Sequence, residues 1–197
     1  MPESHPPAPP HRMFQGPVPT GEYSFFQIAW IVPDIVAACR KWVEVYGAGP
    51  FKVLPPRASK VNYRGRETEL ELQIAVTQVG PVQIELIQQT AEAESVYRDI
   101  FPEGSGGLHH MCTMSHDYAA TRRHYEALGY ECVAEVTGPL TVGYFDTYHD
   151  FGFITEVVAH NEGFAKVLAD NAAECADWDG TDPIRILQRG GSYTTPD

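Results

Sequence analysis

Two stretches of the chain read alike, and this duplication restricts the fold more than any other feature: FFQIAWIVPDIVAACRKWVEVYG, residues 25–47, and GLHHMCTMSHDYAATRRHYEALG, residues 107–129. Each reads as a short strand running into an amphipathic helix, because alternation of apolar residues gives way to apolar residues at helical spacing. In the first the helical set is Ile35, Cys39, Trp42, Val43 and Tyr46; in the second it is Tyr118, Thr121, Tyr125 and Leu128. Asp34 and Asp117 suit the helix starts, since a carboxylate there accepts first-turn amide hydrogens. Gly47 and Gly129 suit the stops. A constant offset of 83 residues places Gln27 on His110, Asp34 on Asp117, Ala37 on Ala120 and Arg40 on Arg123.

Strand-like runs follow both helices. After the first come PFKVL, ETELELQIAVTQVG and PVQIELIQ, the last two parted by Gly80-Pro81; after the second come YECVAEV, LTVGYFDTYH and FGFITEVVAH, parted by Gly138-Pro139 and Asp150 to Gly152. The intervening PPRASKVNYRGRE reads as a loop. The order strand, helix, three strands therefore occurs twice, which predicts an α+β fold of two tandem βαβββ modules, 23–90 and 107–160. A linker over 91–106 holds a short helix in AESVYRDIFPEG, and 161–197 supplies a C-terminal helix and a loose tail, QRGGSYTTPD. Residues 1–22 carry five prolines in the first ten positions and no apolar signal core, so they read as a disordered Pro-rich arm.

Composition narrows the partners. A net charge of −12 argues against nucleic acid or an anionic membrane surface, both of which need a basic face. The chain lacks a run of about 18 apolar residues, so no membrane span is expected. Cys39, Cys112, Cys132 and Cys175 lack CxxC spacing, which predicts reduced thiols in a cytoplasmic protein and no thiolate zinc.

The duplicated order, together with QIAWIVPDI, VQIELIQ, GLHHMC and FITEVV in sequence, resembles the vicinal oxygen chelate superfamily, over roughly residues 25 to 160. Glyoxalase I, methylmalonyl-CoA epimerase, extradiol dioxygenases and bleomycin-resistance proteins belong to it. The resemblance implies that the two sheets curl into a cup around a central divalent metal, with Gln27, Glu85, His110 and Glu156 as ligands. His110 is favoured over His109 because the alternation of HMCTM matches that of IAWIV. His109 is then expected behind the sheet.

Strand parity agrees. Glu85 shares a face with Gln83 and Ile87 while Ile84 and Leu86 face the helices, and Glu156 lies with Ile154 and Val158. A carboxylate in the middle of an apolar strand costs several kcal/mol unless a proton, cation or metal neutralises it. One imidazole, one amide and two carboxylates suit Zn, Ni, Co or Mn, and Fe less. Gln27 stands where ring-cleaving dioxygenases of the superfamily need a second histidine. The set is similar to that of glyoxalase I, which with methylmalonyl-CoA epimerase implies an isomerase, epimerase or lyase. Such an enzyme abstracts a proton beside a carbonyl of a chelating substrate, with Glu156 as first choice of base and Glu85 as second. The alternative is non-catalytic sequestration of a small molecule, as in bleomycin-resistance relatives. Arg57, Lys60, Arg64 and Arg66 would grip a carboxylate or thioester substrate, and Tyr144 and Tyr148 would shape the pocket. No organic cofactor is expected. A homodimer is compatible with the resemblance, because some members assemble the paired modules across two chains.

Overall fold

The computed structural model describes residues 25–188 and 190–196, so the Pro-rich arm expected over 1–22 lies outside the described residues. Strand β1 (Gln27–Ile31) leads into helix α1 (Ile35–Tyr46), and β6 (Gly107–Ser115) into α3 (Tyr118–Ala127). The two helices begin in the same way. Asp34 Oδ1 accepts from the Ala37 amide and Asp117 Oδ1 from the Ala120 amide, each at 2.9 Å. Gly47 ends α1 in the left-handed region at φ 62°, where a side chain would be strained.

After α1 come β2 (Phe51–Val53), β3 (Arg57–Tyr63), β4 (Arg66–Val79) and β5 (Val82–Gln89); after α3 come β7 (Cys132–Val136), β8 (Val142–Phe145) and β9 (Ile154–Ala159). In the first half β1 pairs in parallel with β5, which pairs with β4 and through it with β3; in the second, β6 pairs in parallel with β9, then β8, then β7. Antiparallel pairing of β1 with β6 and of β3 with β7 joins the halves. The sheet therefore closes into a ring within one chain, and closure removes the exposed edges that an open sheet would present.

Two expectations change here. The segment read as a loop contains β3, which pairs with β4 from Arg57 opposite Leu72 to Tyr63 opposite Arg66. Its turn is Arg64-Gly65, both at positive φ (48° and 77°), as a two-residue hairpin needs. Strands β2 and β3 run along the same β4 edge, with a one-residue slip across Leu54-Pro55-Pro56. Prolines cannot donate to the ladder, so a single strand of the module is broken in two. The tail also differs: β10 (Ile184–Leu187) pairs in parallel with β2, and β11 (Tyr193–Thr194) pairs with β10.

Helix α1 covers the outside of the ring, where Ile35 and Cys39 pack with Phe51, Ala75, Ile84 and Leu86. Helix α5 (Glu162–Ala176) packs Phe164 and Leu168 onto Cys112, Met114 and Val158, at the C-terminal part of β6 and β9. Helix α2 (Val96–Ile100) packs Val96 and Tyr97 with Ala29, Ile31, Tyr144 and Ile154, on the other side of the centre. A short helix α4 (Tyr148–Phe151) interrupts the β8–β9 connection. No helix among the described residues is long and apolar enough to cross a membrane.

Candidate metal centre

The register brings four polar side chains onto two neighbouring rungs. Ala29 is the pairing partner of both Glu85 on β5 and His110 on β6; Cys112, two residues on, is the partner of both Gln27 on β1 and Glu156 on β9. The halves are related by this pattern. Glu85 lies two residues beyond Gln83, the partner of Gln27, and Glu156 lies two beyond Ile154, the partner of His110. Period-2 alternation then aims all four toward the inside of the ring.

Ligand atoms of Glu85, His110 and Glu156 lie within 4.8 Å of one another. His110 Nε2 is 2.8 Å from Glu156 Oε2 and 3.4 Å from Glu85 Oε2. The imidazole is fully buried, while the side chains of Glu156 and Glu85 keep 8% and 12% of their exposure. Despite the short distance, Nε2 has no hydrogen-bond partner among the described residues, because the ring N–H axis does not point at either oxygen. The nitrogen thus lies within 3.4 Å of an oxygen of each carboxylate. That is the arrangement a divalent cation satisfies, and the donor set of one imidazole and two carboxylates suits a borderline metal.

Without a cation, one proton serves the whole group and is held on His110. Burial opposes charge on His110, but the Glu156 carboxylate, followed by Glu85, overcomes it and raises the imidazole to about 9. Burial pushes Glu85 up, and His110 opposes this only in part. Glu156 is held below the usual carboxylate range: burial works against its charge, and His110, the Cys112 thiol and Tyr144 together outweigh burial. The Cys112 Sγ donates to Glu156 Oε1 at 3.2 Å, and the Tyr144 hydroxyl lies 2.9 Å from that of Tyr97.

Gln27 Nε2 donates to Gln83 Oε1 at 2.7 Å, which leaves the Gln27 amide oxygen as its free donor atom. Gln83 thus braces a candidate ligand; sequence reasoning saw it only as sharing a face with Glu85. His109 was expected behind the sheet. It is instead turned to the same side as its neighbour, with its Nδ1 3.0 Å from His110 Nδ1 and its Nε2 3.0 Å from the Val96 carbonyl.

The centre opens into a cavity of about 1260 Å³. Its walls are largely apolar, including Leu72, Ile74, Val136 and Val142, with Phe164 and Val167 from α5. Arg57, Lys60 and Tyr144 line it. Lys60 is paired with Glu67 at 2.9 Å. Arg64, Arg66 and Tyr148 are not brought to the cavity. Arg64 pairs with Asp99 at 2.9 Å and Arg66 with Glu94 at 2.7 Å, while Tyr148 sits on α4, 39% exposed. The tight β3–β4 turn brings Arg64 to Asp99 in α2 and Arg66 to Glu94 just before it. The C-terminal helix was not expected to wall the site, and it does.

A search of curated proteins finds no match. Among solved structures, the chain is similar to methylmalonyl-CoA epimerase from Mycobacterium tuberculosis, with a TM-score of 0.51, 14% identity, and coverage of 79% of this chain and 99% of that one. It is also similar to a hypothetical protein from Bacillus halodurans, with a TM-score of 0.50, 18% identity, and coverage of 70% and 94%. Identities this low speak for a shared fold. A family model described as Glyoxalase/Bleomycin resistance protein/Dioxygenase superfamily matches residues 26–144, which include both helix starts and the first three of the four candidate ligands. With its duplicated modules, closed ring and central Glu85, His110 and Glu156, the chain belongs to the glyoxalase/bleomycin resistance protein/dioxygenase superfamily.

Proposed function

We propose that this protein is a metal-dependent enzyme that moves a proton at a carbon beside a carbonyl, giving an isomerase, epimerase or lyase. The observation that carries this reading is a buried imidazole nitrogen without a hydrogen-bond partner among the described residues, close to two carboxylates that face a large cavity. Gln27, Glu85, His110 and Glu156 would hold Zn, Ni, Co or Mn. Bound there, the ion supplies Lewis acidity to two neighbouring substrate oxygens and so makes the adjacent C–H bond more acidic.

The two carboxylates differ in readiness to move a proton. Glu156 is tied by Cys112 and His110 and held low, which suits a fixed ligand. Glu85 has His110 as its one ion-pair partner among the described residues, at 3.4 Å, and burial raises its proton affinity toward the range of a working base. This favours Glu85 as the base and Glu156 as the anchor, the reverse of the order taken from sequence. The mostly apolar walls fit a chelating carbonyl head carried on a sizeable apolar body, and exclude water from the proton being moved. Arg57 at the cavity is the cation best placed to meet a carboxylate or phosphate on such a substrate, because Lys60 is already paired. This is compatible with an acyl thioester.

The test is deuterium exchange. Protein loaded in turn with Zn, Ni, Co or Mn is incubated in D₂O with a panel of 2-oxo acids, 2-oxoaldehyde adducts and branched acyl thioesters. Wash-in of deuterium beside the carbonyl, lost on chelation, supports the proposal. Saturable binding without exchange by any metal form would show a sequestering protein, and oxygen consumption would show ring-cleavage chemistry.

A further inference from the structure

We propose that His109 is a positioning residue that fixes the tautomer of His110, so that Nδ1 of His110 always carries a proton and Nε2 is always the atom presented to the metal centre. The inference rests on the metal reading above for its consequence, but its geometry stands in the chain itself. Consecutive residues of a strand point to opposite faces, so His109 and His110 should be separated by the sheet. Pairing shows why they are not. β1 sets Ala29 against His110 and then Trp30 against Leu108, so His109 is skipped as the extra residue of a β-bulge. Bulges re-aim side chains, and this one brings the two rings within 5.2 Å, nearly perpendicular at 87°.

The approach to the bulge is built for close contact. A Cβ on Gly106 would stand 2.2 Å from the Ile31 carbonyl oxygen, and one on Gly107 would stand 2.9 Å from the Phe101 ring. Tyr97 and Phe101 then pack beside the His109 ring, at centroid distances of 4.9 and 6.4 Å.

Proton placement follows from the partners. The Val96 carbonyl can only accept, so the His109 nitrogen 3.0 Å from it, Nε2, carries the hydrogen. A neutral His109 has then no hydrogen on Nδ1, and a bare Nδ1 at 3.0 Å from His110 Nδ1 must accept from it. Among the described residues no carboxylate bonds either nitrogen of His109, whose partners are the Val96 carbonyl and His110, so nothing beside the ring calls for a second hydrogen on it. His110 is therefore an Nδ1–H donor whether its Nε2 holds a proton or an ion. Metal-bound histidines usually hand their second N–H to a carboxylate, carbonyl or water. Here the acceptor is a second imidazole, itself set by a backbone carbonyl on α2.

The experiment uses ¹⁵N-histidine-labelled full-length protein and two-bond ¹H–¹⁵N spectra, before and after addition of zinc. The expected result is His109 protonated on Nε2 alone in both states, and His110 protonated on Nδ1 in both. A proton on Nδ1 of His109, or a bare Nδ1 on His110, overturns the proposal. His109→Phe should weaken zinc binding by about 10- to 100-fold, the usual cost of losing such a partner, while His109→Asn, which restores an acceptor oxygen near the Nδ1 position, should recover most of that loss. Unchanged zinc affinity in His109→Phe also overturns it. If His109→Phe does not fold, as judged by its melting transition, the spectra of the unmutated protein still decide. Failure of the unmutated protein to bind any of Zn, Ni, Co or Mn would remove the proposed function, yet the tautomers would still be read in the metal-free spectra.

Discussion

The two halves of the ring share a backbone plan and differ in how they hold their polar groups. In the first, Ala29 stands beside Glu85, Gln27 is braced by Gln83, and Glu85 has His110 as its one ion-pair partner among the described residues. In the second, the position equivalent to Ala29 is Cys112, whose thiol grips Glu156, and His110 is braced by His109. Duplication supplies symmetric positions for four ligands. The surroundings then divide the labour, with a tightly tied carboxylate on one side and a looser, more basic one on the other. Backbone symmetry and side-chain energetics are separable, because the first depends on register and the second on what each carboxylate touches.

The strongest way to break this comparison is to remove one ligand from each half. His110→Ala should leave less than about a tenth of the metal, since the sole nitrogen donor is lost, whereas Gln27→Ala should weaken binding by about 10- to 100-fold. Metal analysis of the purified variants decides it, and equal retention in both would show that the halves do not differ as ligands. Next come the carboxylates. Glu85→Gln should lower kcat by roughly 10²–10⁴ with metal largely retained, the usual contribution of a positioned base. Glu156→Gln should act mainly through metal occupancy. If Glu156→Gln instead keeps its metal and shows the larger fall in kcat, the tied carboxylate is the base.

A smaller effect lies in pH. His110, raised from 6.5 to about 9, and Glu85, also raised, hold protons more tightly in the folded than in the unfolded chain. The stabilisation that His110 contributes to the metal-free protein is therefore full below about 6.5 and is lost as pH rises through about 9. Glu156, lowered, acts in the opposite sense and withdraws stability only in acid. Metal-loaded protein should lose this alkaline dependence, because an ion then replaces the proton at Nε2 and proton release accompanies its uptake. Thermal melts between pH 6 and 10, with and without chelator, measure it; superimposable profiles would contradict the shared-proton arrangement. The smallest effect is expected from Cys112→Ala, which makes the second half resemble the first. Loss of one thiol hydrogen bond should cost about 1 kcal/mol in denaturant unfolding and leave metal stoichiometry unchanged. A large loss of metal would mean that the thiol sets the position of Glu156.

Much of this was legible in the chain. The repeat, its two aspartate caps, the glycine stop of α1 and the inward parity of Glu85 and Glu156 are local signals: a helix start needs only a carboxylate three residues before an amide, and strand parity needs only alternate positions. The pairing of Gln27 with His110 at the 83-residue offset follows from the same local patterns. β3 was hidden because the double proline breaks its strand and because it carries the exposed charges Arg57 and Lys60, which read as loop. The C-terminal segment was hidden because IRIL, 184–187, is too short a run to declare a strand without β2 beside it.

What the sequence by itself determined is which residues alternate inward and where each module begins. Tertiary structure alone decided which of those inward groups meet. The bulge that turns His109 onto His110 exists only because β6 slips against β1, a strand about eighty residues earlier, and no pattern within GLHHMC encodes that slip. The thiol of Cys112 reaches Glu156 only because β6 and β9 lie in parallel register. Phe164 and Val167 join the apolar wall of the cavity only because α5 returns across the ring. Parity is a property of one strand, whereas contact between charged groups, and so their proton affinities, depends on the distances set by closing the sheet.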